Sequence, residues 1–213
     1  MRPLSVEEKS SLKAASDRYH ETIGPAVEYL TGRGISQESI DSFHLGFVED
    51  PISGDEKVKG WLAIPSLGPD DDVRSIRFRC LEDHDHEGHG KYMSRPGAHA
   101  RLFNPRALLT SSDFAAITEG EIDAISLVQS GIPAVGVPGA STWQGHWSRL
   151  FAGFDRVYIF GDSDPAGKAF AKKACEDMSN AVVATLEAGF KDVNELLVAR
   201  GSKKVLEQIG ARR

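Results

Sequence analysis

The spacing of apolar residues predicts short helices and then antiparallel strands in the first half of the chain. Residues 17–48 have the pattern of two short helices, one around Ala26–Leu30 and one that is capped by Ser36 and turns Ile40 and Phe43 inward. Further along, short apolar runs alternate with polar turns, which indicates a hairpin-like antiparallel region. The predicted strands of this region are WLAIPSL (61–67), VRSIRFRC (73–80), KYMS (91–94) and ARLFN (100–104).

The second half has a different pattern, in which continuous apolar runs occur at residues 114–118, 133–137, 156–160 and 181–187. Helical stretches fill the first and the third gap between these runs. Buried strands that alternate with helices are typical of a parallel sheet covered on both faces. The boundary falls near residues 108–113. We therefore predict an α/β protein, with an α+β N-terminal subdomain (1–112) and a second domain built on a mainly parallel sheet flanked by helices (113–213).

Composition and charge narrow the class of protein. Hydrophobic residues make up 40% and charged residues 26% of the 213 positions, the proportions of an ordinary soluble globular protein. No apolar run approaches the roughly 20 residues that span a membrane, and the N-terminus lacks the apolar stretch of a signal peptide, so we expect a cytoplasmic protein. The net charge of -6 argues against indiscriminate nucleic-acid binding but allows a local basic surface. The two cysteines, Cys80 and Cys175, exclude a cysteine-rich zinc ribbon and are expected to be buried thiols.

Acidic residues follow three of the four predicted parallel strands. Glu119 ends the first strand, Asp162 and Asp164 follow the third, and Asp192 precedes the helix after the fourth. The carboxyl ends of parallel strands meet at one edge of a sheet, where ligands bind. Carboxylates gathered there repel one another, which raises their pKa values or requires a cation. Because Mg²⁺ prefers such oxygen ligands together with phosphate oxygens, the pattern predicts phosphate chemistry.

Each of these acids also has an ordinary structural interpretation. Asp164 precedes Pro165 and has the pattern of a helix N-cap, Asp192 is also a candidate cap, and Glu119 is compatible with a solvated turn. Asp162 alone has no such local use. The chain has neither a Walker-type phosphate loop nor a GxGxxG sequence, which argues against a motor ATPase or a dinucleotide enzyme.

Together these segments resemble the Toprim domain of bacterial and phage DnaG-type primases. The resemblance rests on TEGEIDAISL (118–127), IFGDSDPAGKAFAKKA (159–174) and KDVNELL (191–197), which are similar to the EGxxDxxxL, DxDxAG and third acidic elements of that family. Upstream, YLTGRGISQESIDSFHLGF (29–47) and KYMSRPGAHARLFN (91–104) are similar to the opening segment of the primase core and to its lysine-tyrosine strand. The resemblance covers most of residues 19–200.

The resemblance implies a role for each acid. Glu119 would lie nearest the reacting phosphate and would assist at the incoming 3′ hydroxyl, either as a metal ligand or as a proton acceptor. Asp162 and Asp164 would be the principal ligands of Mg²⁺, with Mn²⁺ as a substitute. Asp192 would be a further, weaker ligand. Asp123 would support the cluster, although favourable charge in the first turn of a helix explains it equally well.

Departures from the family pattern concern the third acidic element and the lysine-tyrosine strand. Asn194 stands where the family has a second acid, which removes a charge and weakens one metal position. Ser94 and Arg95 replace an asparagine and a serine. The zinc-binding, helicase and helicase-docking segments of the family are missing, so the chain resembles a catalytic core that would work with a separate zinc-binding module and a replicative helicase, in the host cytoplasm if phage-encoded.

Basic residues of the antiparallel region are candidates for binding nucleic acid. Arg77 and Arg79 point together, because side chains alternate along a strand. The predicted basic strip, which would hold template phosphates without reading sequence, consists of Arg77, Arg79, Lys91, Arg95 and Arg101. Tyr92 would stack on a base or pack within the protein. Without the resemblance, a solvated sheet face explains the same residues.

A histidine-containing turn and two tryptophans complete the candidates. His84, His86 and His89 lie in EDHDHEGHG, which contains no cysteine and no helical pair of ligands, so we interpret it as a solvated hairpin loop and assign it no metal. Trp143 and Trp147 are expected to pack at the end of the second parallel strand.

The sequence therefore predicts a primase core that makes short RNA primers from ribonucleoside triphosphates on single-stranded DNA. Two alternatives stay open: a Toprim nuclease that uses the same acids, and a non-catalytic Toprim module that binds DNA or the replication machinery. A DxD phosphatase is disfavoured because Pro165 and Ala166 stand where that class has a hydroxyl residue.

Overall fold

Two four-stranded sheets, one antiparallel and one parallel, organise the part of the chain that the structure describes. The structure is a computed structural model that describes residues 3–82, 84–86 and 88–210. The chain forms two compact units. The first contains the chain up to Gly32 and Ser36–His99, and the second contains Arg33–Ile35 and the chain from Ala100 onward. The division into domains at residues 112 and 113 stays a prediction.

Three helices accompany the antiparallel sheet of the first unit: α1 (Val6–Glu21), α2 (Gly24–Gly32) and α3 (Gln37–Ser42). The two predicted short helices are confirmed as α2 and α3. Ser36 caps α3 by accepting a hydrogen bond from the backbone N–H of Ser39, and Ile40 and Phe43 are buried. Helix α1 was not predicted, because its sequence is mostly polar and buries only a narrow stripe that includes Leu12 and Tyr19.

The antiparallel sheet has its strands in chain order: β1 (Gly46–Phe47), β2 (Leu62–Leu67), β3 (Val73–Arg79) and β4 (Tyr92–Ser94). The predicted hairpin-like region is confirmed for three of its four runs. The prediction of a strand at residues 100–104 is wrong, since Phe103 forms only an isolated bridge to Gly136 in the second unit. The backbone turns away at Asn104, which has a φ of 56° and donates a side-chain hydrogen bond to the carbonyl oxygen of Ala134 at 2.8 Å.

The second unit is built on a parallel sheet, as the continuous apolar runs predict, and its strand order is β6-β5-β7-β8. Its strands are β5 (Phe114–Thr118), β6 (Ala134–Gly136), β7 (Arg156–Phe160) and β8 (Ala181–Val183). Helices α4 (Glu121–Gln129) and α5 (Pro165–Glu176) fill the first and third gaps, and α6 (Val193–Arg200) and α7 (Ser202–Glu207) follow β8. The α/β fold class is therefore confirmed.

Strand β8 is shorter than the apolar run that predicts it, since it ends at Val183 and not at residue 187. Glu187 instead lies near the basic ends of Arg200 and Lys204, at 3.6 and 3.4 Å. Trp143 and Trp147 pack edge to face in the buried core, with ring centroids 5.9 Å apart, as predicted. Across the described residues, no helix combines the length and apolar character that crossing a membrane requires.

Candidate active site

Glu119 and Asp162 meet at the carboxyl edge of the parallel sheet. Strands β5 and β7 are neighbours in register, with Thr118 opposite Phe160. Glu119 therefore emerges beside the loop after β7, and its Oε2 accepts a hydrogen bond from the backbone N–H of Asp162 at 3.4 Å. Both carboxylates are half-buried. The rule that parallel strand ends converge thus brings together the two acids to which the sequence assigns the central roles.

Two glycines allow this close approach. A Cβ atom on Gly161 would lie 2.3 Å from the carbonyl oxygen of Gly167. A Cβ atom on Gly167 would lie 2.4 Å from both the backbone nitrogen and oxygen of Asp162, and 2.7 Å from Oε2 of Glu119. The first turn of α5 therefore rests directly on the backbone that carries Asp162, and only glycine fits there.

Asp164 is the N-cap of α5, as its position before Pro165 predicts. Its Oδ1 accepts a hydrogen bond from the backbone N–H of Gly167 at 2.8 Å. A carboxylate has two oxygens and about four lone pairs, so the cap leaves capacity for a cation. The capping role and the predicted ligand role of Asp164 are compatible.

The third acidic loop is attached to the second by a backbone hydrogen bond. The N–H of Ser163 donates to the carbonyl oxygen of Lys191 at 3.0 Å. Asp192 then caps α6 by accepting a hydrogen bond from the N–H of Glu195 at 2.8 Å. The Nζ atom of Lys191 lies 3.7 Å from Oδ2 of Asp162. Sequence reasoning missed Lys191, although its place directly before Asp192 was a signal that a cation accompanies the acids.

Asn194 does not occupy an open ligand position in this structure. It is 2% exposed, its side-chain amide donates to the carbonyl oxygen of Arg33 at 2.8 Å and to Oγ of Ser126 at 3.0 Å, and its Oδ1 accepts from Arg33. Its backbone N–H donates to Oδ1 of Asp123 at 2.9 Å. Asn194 therefore joins α4, α6 and the segment at Arg33, and the amide satisfies partners that a second carboxylate would repel or leave unmatched.

Burial, together with neighbouring negative charge, raises the pKa values of Glu119, Asp162 and Asp123. Burial, followed by the charge of Asp162, raises the pKa of Glu119. Burial, followed by the charge of Asp192, raises the pKa of Asp162, and Lys191 only partly offsets this. Burial and Asp192 also raise the pKa of Asp123 to about 8. An arrangement that penalises its own negative charge is stabilised by a bound cation, so these residues fit a divalent metal ion.

Arg77 and Arg79 point to the same side of β3 in agreement with strand alternation. Their guanidinium carbons lie 4.9 and 5.0 Å from the ring centroid of Tyr92 on β4. Arg79 also hydrogen-bonds the hydroxyl of Tyr92 and lies 5.2 Å from the ring of Tyr29. Because Arg79 is only 7% exposed, it holds the tyrosine ring in place more than it offers charge to a ligand.

The other predicted basic residues lie in three different settings. Arg95 forms a bidentate ion pair with buried Asp55, at 2.7 and 2.5 Å, and Tyr19 donates to the same carboxylate. This pairing favours a structural role for Arg95. Lys91 is exposed and directly precedes β4. Arg101 belongs to the second unit and lies in a segment that forms no strand, so its place in the basic strip stays a prediction.

Comparison of sequences supports a Toprim domain and a phage relative. Residues 116–197 match a family model described as Toprim-like. The chain is 43% identical over 155 residues to the gene 57 protein of Mycobacterium phage D29, an alignment that covers 71% of this chain and 99% of that protein. It is 29% identical over 226 residues to the DNA primase of Geobacillus stearothermophilus, covering 88% of this chain and 38% of that protein. The chain thus spans less than two fifths of the primase.

Solved structures share the fold at low sequence identity. The RNA polymerase domain of the Mycobacterium tuberculosis primase DnaG superposes with a TM-score of 0.79 at 20% identity, over 98% of this chain and 84% of that chain. A DnaG primase catalytic domain bound to single-stranded DNA superposes with a TM-score of 0.76 at 20% identity, over 95% of this chain and 77% of that chain. The fold is therefore that of the RNA polymerase domain of DnaG primases.

Proposed function

We propose that this chain is the catalytic core of a DnaG-type primase, because it belongs to the family of the gene 57 protein of Mycobacterium phage D29 and carries a Toprim domain. It would synthesise short RNA primers from ribonucleoside triphosphates on a single-stranded DNA template. The observation that carries the proposal is the contact of Glu119 with Asp162 at a sheet edge that also gathers Asp164 and Asp192.

The acids would divide the work of nucleotidyl transfer. Asp162 and Asp164 would hold Mg²⁺ or Mn²⁺, with Asp192 as a further ligand, and the ion would stabilise negative charge on the transferring phosphate. Glu119 would act at the attacking 3′ hydroxyl, where its raised pKa improves it as a proton acceptor. Lys191 would provide a point charge for the triphosphate, since its Nζ already lies beside Asp162.

The first unit would bind the template. Tyr92, with the two arginine side chains that contact its ring, would offer a flat surface on which a base stacks. Lys91 and Arg77 would contact template phosphates independently of sequence. The solved DnaG catalytic domain bound to single-stranded DNA supports this assignment, because this chain shares its fold. Arg95 is a weaker candidate because it is paired with buried Asp55, and Arg101 is weaker because it lies in a segment that forms no strand.

We propose a zinc-binding primase module and a replicative helicase as further partners, because the resemblance to DnaG-type primases implies them. A Toprim nuclease would use the same four acids to cleave and remains the second candidate. A non-catalytic module is less favoured, since the carboxylates are present and gathered at one sheet edge.

Primer synthesis by the purified chain tests the proposal directly. Single-stranded DNA, the four ribonucleoside triphosphates and Mg²⁺ or Mn²⁺ would be incubated with the wild type, Asp162→Asn, Glu119→Gln and the control Glu176→Gln. The exposed carboxylate of Glu176 lies 3.8 Å from Lys172 on the same helix. We expect short metal-dependent RNA from the wild type and the control alone. Template cleavage would identify the nuclease. Absence of RNA even with a primase zinc-binding module added, while DNA still binds, would identify the non-catalytic module.

A further inference from the structure

The loop between β3 and β4 gathers four side chains that are typical metal ligands. Cys80 follows directly after β3, and His84, His86 and His89 precede β4. One ligand atom from each of the four lies within 4.8 Å of the others. The sequence-based interpretation of this loop counted no cysteine, because Cys80 was assigned to the strand, which ends at Arg79.

The spacing of these atoms suits a tetrahedral ion. Sγ of Cys80 lies 3.4 Å from Nε2 of His84. Zn–S bonds of about 2.3 Å and Zn–N bonds of about 2.0–2.1 Å give ligand-to-ligand edges of about 3.3–3.6 Å in a tetrahedron. The three imidazole rings are mutually adjacent, with centroid separations of 4.7, 5.1 and 5.3 Å. The observed separations, 3.4 Å for one pair and none above 4.8 Å, are thus near those of a tetrahedral zinc site.

Backbone carbonyls fix two of the imidazoles in the tautomer that binds metal through Nε2. Nδ1 of His84 lies 3.0 Å from the carbonyl oxygen of Asp85, and Nδ1 of His89 lies 3.2 Å from that of Gly90. A carbonyl oxygen only accepts, so each Nδ1 carries the hydrogen and each Nε2 keeps its lone pair. Zinc-binding histidines are held by the same kind of outer hydrogen bond.

The third histidine supplies an independent observation. Nδ1 of His86 is buried and has no hydrogen-bond partner among residues 3–82, 84–86 and 88–210. A buried ring nitrogen without a partner is costly, and coordination to a metal ion removes that cost. The carboxylate of Glu82 also approaches His84, at 3.8 Å, but its side chain is 83% exposed.

The cluster lies on the hydrophobic core of the first unit. Cys80 is 4% exposed and packs in the apolar cluster that contains Trp61 and Phe78. The ring of Trp61 lies 5.0 Å from that of His89, and the N–H of Cys80 donates to the carbonyl oxygen of Lys91 at 3.0 Å, which closes the base of the loop. The loop itself offers little apolar surface, so an ion in its centre would replace a hydrophobic core.

We propose that Cys80, His84, His86 and His89 form a structural zinc site that clamps the β3–β4 loop. One thiolate and three imidazoles fill a tetrahedron, which leaves no open position for catalysis, and these sulfur and nitrogen donors select Zn²⁺ over Mg²⁺. The clamp fixes the residues that directly follow it, Lys91 and Tyr92. The proposal does not depend on the primase activity, because it concerns metal content and loop order alone.

Zinc content of the full chain, purified untagged, tests the site. After exposure to Zn²⁺ and removal of loosely bound ion, we expect about one zinc per chain in the wild type, the same in Cys175→Ser, His146→Ala and Asp162→Asn, and a loss in Cys80→Ser and His86→Ala. The first two controls are a cysteine and a histidine outside the cluster, and the third reports on the acidic edge. Equal zinc in all variants, or none in the wild type, overturns the proposal.

Cobalt substitution gives a readout that a purely structural effect of the variants would not produce. Co²⁺ in a tetrahedral site with one thiolate shows a sulfur-to-metal charge-transfer band and strong visible bands. We expect both in the wild type, the loss of the charge-transfer band in Cys80→Ser, and weak visible bands in His86→Ala. Circular dichroism confirms that each variant is folded. A wild-type spectrum of six-coordinate cobalt without charge transfer contradicts the assignment.

Discussion

The acidic edge of the parallel sheet and the Cys80–His89 loop of the antiparallel unit both suit a cation, but by opposite means. The acidic edge uses carboxylate oxygens from three separate loops, each set at the end of a strand or the start of a helix. The Cys80–His89 loop uses sulfur and nitrogen from a single loop. Oxygen donors on separate elements leave room for water and phosphate, whereas a loop that supplies four donors encloses its ion.

The difference also concerns what holds the ligands in place. At the acidic edge, Asp164 and Asp192 cap helices and Glu119 accepts a backbone N–H, so the fold orients the carboxylates before any ion binds. In the Cys80–His89 loop, short-range contacts to carbonyl oxygens orient only two of the rings. On the proposed function, an ion at the first site would serve chemistry, and an ion at the second would serve the order of the loop.

The largest expected effect is the loss of activity when one central carboxylate is neutralised. Asp162→Asn keeps the side-chain volume but removes the charge that the cation requires, so we expect primer synthesis to fall by about 100-fold or more. Stripping zinc from the Cys80–His89 loop is expected to weaken template binding and leave the chemical step. The rate of single-turnover extension of a preformed primer reports the chemical step separately from template binding. An equal loss of that rate in Asp162→Asn and in the zinc-free protein would contradict the comparison.

The second prediction concerns the packing that makes the acidic edge rigid. Gly167→Ala places a Cβ atom 2.4 Å from the backbone of Asp162, so α5 must shift away from the loop. We expect a loss of about 1–3 kcal/mol in the free energy of unfolding, together with lower activity. Urea denaturation measures the stability. The matched control is Gly153→Ala, where nothing lies within 4 Å of an added Cβ atom; a similar loss in both variants would refute the explanation.

How far the sequence predicts each region follows from the range of the contacts involved. The parallel sheet and the gathering of the acids at one of its edges were predictable, because continuous apolar runs that alternate with helices indicate parallel strands, whose carboxyl ends meet at one edge. The roles of Asn194 and Lys191 were not, since both depend on contacts with residues distant in sequence, such as Arg33 and Asp162. A sequence pattern predicts the helix or strand from which a side chain projects, but not the distant residue that it contacts.

The Cys80–His89 loop was missed for a different reason. Its four proposed ligands lie within ten residues, so the sequence pattern for a metal site was local. Because the predicted strand included Cys80, its thiol was not counted among the donors of the loop. An error of one residue at a strand end therefore changed the interpretation of the whole loop. The prediction of a strand at residues 100–104 was also wrong at the end of the segment. The residues alternate as in a strand, but Asn104 adopts a positive φ and the pairing ends after one bridge.

The third prediction uses the opposite pH dependence of the two regions. Folding raises the pKa of Asp123 to about 8, so between the ordinary pKa near 3.8 and pH 8 the folded chain holds a proton that the unfolded chain releases. Its contribution is therefore present at low pH and is lost as pH rises, by about 1.4 kcal/mol per pH unit at most. Zinc-bound thiolate and imidazoles give the reverse slope, because protons compete with the ion.

Urea unfolding of the metal-free chain at pH 5 and pH 8 measures this dependence. We expect the wild type to lose more stability over the interval than Asp123→Asn, whose Oδ1 still accepts from the N–H of Asn194. Added Mg²⁺ should reduce the loss in the wild type, because the cation offsets the repulsion from Asp192 and Asp162. Identical pH profiles for the two proteins would show that Asp123 does not titrate with the cluster.

The smallest expected effect belongs to Lys191, whose charge adjusts the acidic edge without building it. Its Nζ lies 3.7 Å from Asp162 and its side chain is 55% exposed, so solvent screens much of the interaction. Lys191→Met removes the charge but keeps the backbone carbonyl that accepts from Ser163. We expect triphosphate affinity to fall by at most about fivefold, consistent with an exposed ion pair of less than about 1 kcal/mol.

The matched control for that variant is Lys172→Met, an 80% exposed lysine on α5 that pairs only loosely with Glu176, at 3.8 Å. Isothermal titration of a nonhydrolysable ribonucleoside triphosphate in Mg²⁺ separates the two lysines, because only Lys191 lies beside an acid assigned to the metal. A loss of 100-fold in Lys191→Met would make the lysine a full member of the site, and the acidic edge would then depend on a fixed cation of its own, as the Cys80–His89 loop is proposed to do.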